Sequence, residues 1–127
     1  MPGRKLAVVV LSDPKPGSEE ALGRIFNALA AAHDWDSRGG DVKIVFQGAG
    51  TRWPAELAKP AHPAHGLYEQ LADKVAGASC GCAEAFGAAE SARACGVPLL
   101  RQADLPGTSG VTSYWSLADA GYDIVTF

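Results

Sequence analysis

The chain has 127 residues, 47% hydrophobic and 20% charged, with 11 Lys+Arg against 14 Asp+Glu and a formal charge of −3. That balance fits one compact domain and excludes disorder, while a pI near 5.5 with scattered cations excludes nucleic-acid binding by bulk charge. Apolar runs such as residues 6–11 are far shorter than the roughly 20 residues needed to cross a bilayer, so no membrane partner is expected.

Residues 1–5 are basic, but no small-x-small cleavage pattern follows before Asp13, so no export leader is expected and the cytoplasm is the expected compartment. The cysteine count is odd, at 3, which predicts free thiols in a reducing environment.

Residues 6–11 form an apolar run without alternation, the pattern of a strand covered on both faces. The Pro- and Gly-containing segment 12–17 breaks it. Ser18 then reads as a helix N-cap, with Glu19 and Glu20 in the first turn and Leu22, Ile25, Phe26 and Leu29 as one buried stripe. Trp35 continues that packing, and Gly39-Gly40 closes the segment.

Val42 to Phe46 predict a second strand, stopped at Gln47-Gly48-Ala49-Gly50. A long connection through Pro54, Pro60 and Pro63 leads to a second helix bearing Leu67, Tyr68, Leu71 and Val75 on one face. A short small-residue strand follows at 75–79. After Cys80-Gly81-Cys82 the stretch 83–95 reads as one Ala-rich helix, capped by Gly96 and stopped by Pro98. Residues 97–100 are a fourth strand, 113–120 a last short helix after a glycine-bearing loop, and 123–127 a fifth strand.

Alternating strand and helix patterns argue for a single α/β domain over 1–127, a three-layer α/β/α sandwich around a five-stranded parallel sheet with right-handed crossovers. In such sheets ligands gather beyond the carboxyl ends of the strands. That places the site among four loops, at 12–17, 47–53, 79–82 and 100–110.

The 79–82 loop carries the strongest chemistry. Cys80 follows a strand and precedes a helix, where unpaired N–H groups and the helix dipole favour an anion such as a thiolate. That setting suits a nucleophile or a persulfide carrier. Gly81 is expected to let the backbone approach closely and keep the sulfur accessible. Glu84, one turn on, is a negative charge that opposes thiolate formation. Cys82 is the second candidate thiol, or else caps the helix or packs beneath it. Cys95, at the far end of the helix, is expected in the core.

His62 and His65 together with Cys80 and Cys82 are of the right chemical type for zinc, but Cys-x-Cys is tighter than the usual pair spacing, so no metal is expected. Gly48-Ala49-Gly50 lacks the third glycine of a dinucleotide fingerprint and is followed by Trp53-Pro54, so no nucleotide cofactor is expected either. Special backbone angles are the better reason for those glycines. Arg52, near the same sheet edge, is a candidate partner for a Cys80 thiolate or an anionic sulfur donor. Trp53 walls off water there or packs on a neighbouring subunit. Asp13 is either a turn former with Pro14 or a site residue. Trp115 and Tyr114 are candidates for contact with another chain.

The α/β layout, the opening apolar strand, the strand-end Cys80 and the closing segment Gly121-Tyr122-Asp123-Ile124-Val125-Thr126-Phe127 together resemble the DsrE/DsrF-like family across essentially the whole chain. The resemblance implies a DsrE/YchN-like, flavodoxin-like layout and assembly of subunits into trimers or hexamers. It also implies a sulfur-relay role, in which the cysteine after the third strand, here Cys80, accepts a persulfide sulfur from a donor protein and passes it to an acceptor. Cys82 and the 48–54 loop depart from that pattern. A non-catalytic oligomeric binding module with incidental thiols is the alternative.

Overall fold

The computed structural model describes residues 4–127; Met1, Pro2 and Gly3 of the basic N-terminus lie outside the described residues. The strands are β1 (Lys5–Val10), β2 (Asp41–Phe46), β3 (Val75–Ser79), β4 (Leu99–Leu100) and β5 (Asp123–Thr126). All pair in parallel, in the order β4-β3-β2-β1-β5. The helices are α1 (Glu19–Ser37), α2 (Trp53–Leu57), α3 (His65–Leu71), α4 (Cys80–Ala85), α5 (Ala89–Ala94) and α6 (Tyr114–Asp119).

The strand order dictates the layers. From β1 to β4 every step goes the same way across the sheet, so right-handed crossovers put α1 to α5 on one face. The return from β4 to β5 runs the opposite way and puts α6 on the other. Side-chain alternation matches. Leu6, Val8, Val10, Ile44 and Phe46 share a core with Ile25 and Leu29 of α1, Leu57, Tyr68, Leu71 and Ala92. Ala7 turns away from them to pack with Leu117 and Tyr122. One face is therefore heavily covered, and the other carries a thin layer of α6 and the chain before it.

Local signals placed most elements. Ser18 caps α1, its side chain accepting from the Ala21 N–H at 3.1 Å. Gly40 is required because a Cβ there would lie 2.5 Å from Trp35 Cδ1. Three expectations change. The 48–63 connection holds a 3₁₀ turn, Gly48–Arg52, and the helix α2. The helix bearing Tyr68 stops at Leu71, and Val75 opens β3 rather than extending the apolar face. The single helix at 83–95 is two six-residue helices broken at Gly87, which takes φ +68°. No helix among the described residues is long and apolar enough to cross a membrane.

Candidate functional site

Cys80 is the first residue of α4, directly after β3, at the carboxyl edge of the sheet. It is free and fully buried, at 0% exposure. What buries it is the segment that follows β4. Ala103 and Val111 pair as an antiparallel bridge, with N–H···O distances of 2.9 Å each way, and turn 101–112 into a finger. At its tip the Thr108 N–H donates to the Leu105 carbonyl at 3.1 Å across Pro106 and Gly107, with Gly107 at φ +84°. Proline followed by a positive-φ glycine suits a type II turn.

The finger lies directly on α4. The Gly81 N–H donates to the Gly110 carbonyl at 2.8 Å, and a Cβ on Gly81 would sit 3.1 Å from both that oxygen and Thr108 Cβ. Gly81 thus permits a close approach, but the approach covers the sulfur instead of exposing it. The same bond occupies an N–H at the helix start expected to face an anion, so it is not free for a thiolate. With α4 only six residues long, its dipole is also short.

The charge that meets the sulfur comes from elsewhere. Arg101 Nε donates to Cys80 Sγ at 3.3 Å. The Arg101 guanidinium is held above its ordinary value, first by this hydrogen bond to Cys80, with the nearby Glu84 carboxylate adding to it. Ser109 Oγ lies 3.1 Å from the same sulfur and 2.5 Å from Glu84 Oε1. Glu84 therefore has a partner between itself and the thiol instead of facing it bare. Arg101 and Ser109 both fall in the 100–110 loop that fold class marked as site-bearing, yet no spacing pairs them with Cys80, because 21 and 29 residues intervene.

Arg52 does not reach this group. Its Nε donates to the Phe86 carbonyl at 3.1 Å, at the other end of α4, and its Nη1 lies 3.5 Å from Asp13 Oδ1. Arg52 and Asp13 line a separate recess of about 320 Å³ with Pro14, Lys15, Pro16 and Glu56. Asp13 also makes a turn, its carbonyl accepting from the Lys15 N–H at 2.8 Å. Trp53 is neither a loop residue nor an interface residue of the described chain. It is 2% exposed, and its indole N–H donates to the Ser12 carbonyl at 2.8 Å, tying α2 to the end of β1. The expected role against a neighbouring subunit is corrected by α2, which begins at Trp53 and carries its indole into the core.

Cys82 is half-buried on α4, and among the described residues the hydrogen bonds to the Cys80 sulfur come from Arg101 and Ser109. Cys95, expected in the core, is exposed. It is the C-cap of α5, one residue beyond the helix whose buried residue is Ala92. His62 accepts from the Ala64 N–H through Nδ1 at 3.1 Å, and His65 Nδ1 lies 2.7 Å from the Leu57 carbonyl. No cluster of three or more His, Cys, Asp or Glu fit to hold a metal occurs among the described residues.

A further polar set lies at the same carboxyl edge of the sheet. Gln47 directly follows β2 and Ser79 ends the neighbouring β3, and alternation past the Phe46–Ala78 pair turns both toward the α6 layer. Gln47 Nε2 donates to Tyr114 Oη at 3.1 Å. Gln47 Oε1, Ser79 Oγ and Thr112 Oγ1 are buried without a hydrogen-bond partner among the described residues. No family model, curated protein or solved structure matches the chain.

Proposed function

We propose that the protein is a sulfur carrier of the sulfurtransferase type, in which Cys80 accepts a sulfane sulfur. The Cys80 thiolate attacks the outer sulfur of a donor persulfide R–S–SH, the donor S–S bond breaks, R–S⁻ leaves, and Cys80 retains S–SH. An acceptor nucleophile then takes the outer sulfur and returns the thiolate. The observation that carries this reading is the Arg101 guanidinium donating to Cys80 Sγ at 3.3 Å. A cysteine that only fills space needs no cation, whereas a thiolate or a persulfide anion does. Since the sulfur is buried, the exchange requires the 101–112 finger to lift.

The test is exposure of the native protein to a persulfide generated by a cysteine desulfurase, followed by peptide mass analysis. Gain of one sulfur on Cys80, reversed by reductant and absent in Cys80→Ala, is the expected result. An unmodified Cys80 under conditions that load a known carrier would overturn it. The alternative, an oligomeric binding module with an incidental thiol, is favoured by the complete burial of Cys80, and that second outcome would select it.

The carrier reading extends to setting and assembly. Free thiols at three positions suit a reducing cytoplasm. Trp115 at 74% exposure and Tyr114 at 42%, side by side on the thin α6 layer, suit a closed homo-oligomer, a trimer or a pair of trimers. Donor and acceptor proteins would then dock at the finger.

A further inference from the structure

We propose that Glu84, acting through the hydroxyl of Ser109, takes the proton of Cys80, so that the buried thiol ionises toward a surface carboxylate and not toward water. This deepens the carrier reading and rests on it only in that Cys80 must react.

A serine hydroxyl holds one proton, so Ser109 Oγ cannot donate to both neighbours at once. Its 2.5 Å separation from Glu84 Oε1 is that of a charge-assisted O–H···O⁻ bond, and of its two hydrogen-bond neighbours the carboxylate is a far stronger acceptor than the thiol sulfur at 3.1 Å. The hydroxyl proton therefore points to the carboxylate, and the oxygen lone pairs are left to accept the Cys80 S–H. That is a continuous chain from a buried thiol to an exposed acid, and it exists only while the finger is closed, so the proton leaves first and the finger then lifts from a sulfur already ionised.

Moving the proton needs no other reagent. The S–H bond breaks and its electron pair stays on sulfur. The proton passes to Ser109 Oγ as the serine proton passes to Glu84 Oε1. Thiol and carboxylate become thiolate and carboxylic acid, with charge conserved. Both hydrogen bonds then reverse direction, and the hydroxyl donates to the sulfur anion alongside Arg101.

The fold supplies the geometry. Glu84 belongs to α4 and Ser109 to the finger, 25 residues on, and the Gly81–Gly110 bond presses the two together. The charged groups that face the sulfur are Arg101, from beyond β4, and Glu84 through Ser109; Arg52, on the 48–52 turn packed against α4, is turned to the Phe86 carbonyl. Separately, Ser79 Oγ, in the fully buried residue that precedes Cys80 in the chain, has no partner among the described residues. Glu84 never touches the sulfur, so it is a positioning residue whose test must read proton movement.

Methyl methanethiosulfonate, a small neutral thiol reagent, would be reacted with the full chain in light and heavy water, and modification followed peptide by peptide with Cys95 as the control. Glu84→Gln keeps an acceptor for Ser109 but cannot take its proton. It should slow Cys80 modification by about tenfold or more and abolish the solvent isotope effect, with Cys95 unchanged. Ser109→Ala also removes a contact that holds the finger on α4, so it is read by the isotope effect, which it should abolish and which Ser109→Thr, keeping the hydroxyl, should restore. Cys80 modified at the wild-type rate or faster in Glu84→Gln, or with its isotope effect intact, overturns the proposal. Loading with persulfide in parallel separates the two readings. A protein that takes no sulfur yet shows the Glu84→Gln loss fails as a carrier and keeps the relay. One that loads sulfur equally well with and without Glu84 does the reverse.

Discussion

The guanidinium of Arg101 stands 3.3 Å from the sulfur of Cys80, although 21 residues separate them in the chain. Parallel pairing of β3 with β4 is what makes them neighbours: Ser79 lies opposite Leu100, so the residues that follow, Cys80 and Arg101, emerge side by side at the same sheet edge. The cation of this site is thus attached to the fourth strand and not to the second, where Arg52 sits.

Arg101→Gln should keep the fold, because the side chain is on the surface, and should slow sulfur uptake by Cys80 by about tenfold or more. Arg101→Lys should restore part of the rate, since an ammonium supplies charge without the planar donor geometry. Single-turnover loading from a small persulfide measures both. Equal rates in all three proteins would remove Arg101 from the chemistry.

Gly81 controls access. In Gly81→Ala the new Cβ meets the finger at Gly110 O, Thr108 Cβ and Val111 Cγ1, at 3.1 to 3.2 Å. Alanine also favours the helix by roughly 0.8 kcal/mol, which offsets the displaced contacts. Thermal stability should then change little while peptide-resolved alkylation of Cys80 rises several-fold. In the unaltered protein the order of alkylation should be Cys95, Cys82, Cys80, following exposure. Gly50→Ala is the contrasting case. Its Cβ would fall on the Val10 carbonyl oxygen, which is backbone, so a loss of about 3 kcal/mol by denaturant unfolding is expected.

The tryptophans should separate cleanly. Trp53→Ala removes a fully packed indole and should cost about 3–5 kcal/mol. Trp53→Phe keeps most of the packing and loses the bond to the Ser12 carbonyl, about 1 kcal/mol. Trp115→Ala should leave unfolding of the protomer unchanged and, if α6 forms the interface, lower the mass seen by light scattering. A wild-type protein that is already monomeric at micromolar concentration would dispose of that interface.

Alkali should weaken the fold through Tyr68. Burial, with smaller contributions from Cys95 and Glu69, pushes its hydroxyl up from 10.0 to about 12. The folded state therefore holds the phenol proton after the unfolded chain has released it. Stability from this group is complete below pH 10 and is lost as pH rises from about 10 toward 12. Melting temperature against pH for wild type and Tyr68→Phe checks the sign: the wild type should fall more steeply over that window.

What the sequence by itself determined is local. An unbroken apolar run made β1 recognisable, Ser18 marked the start of α1, and alternation of strand and helix specified a parallel five-stranded sheet, because each pattern depends on neighbours a few residues apart. Cys80 was legible as a strand-end thiol for the same reason. The break at Gly87 is not legible in sequence, since glycine within an Ala-rich stretch is ambiguous until its φ is known. Only the tertiary structure decided that Arg101, Ser109 and Glu84 surround the sulfur, that Trp53 is core, and that Cys95 faces solvent. Those outcomes depend on which strand lies beside which and on a finger folding back over α4, and contacts across such distances leave no trace in the spacing of residues along the chain.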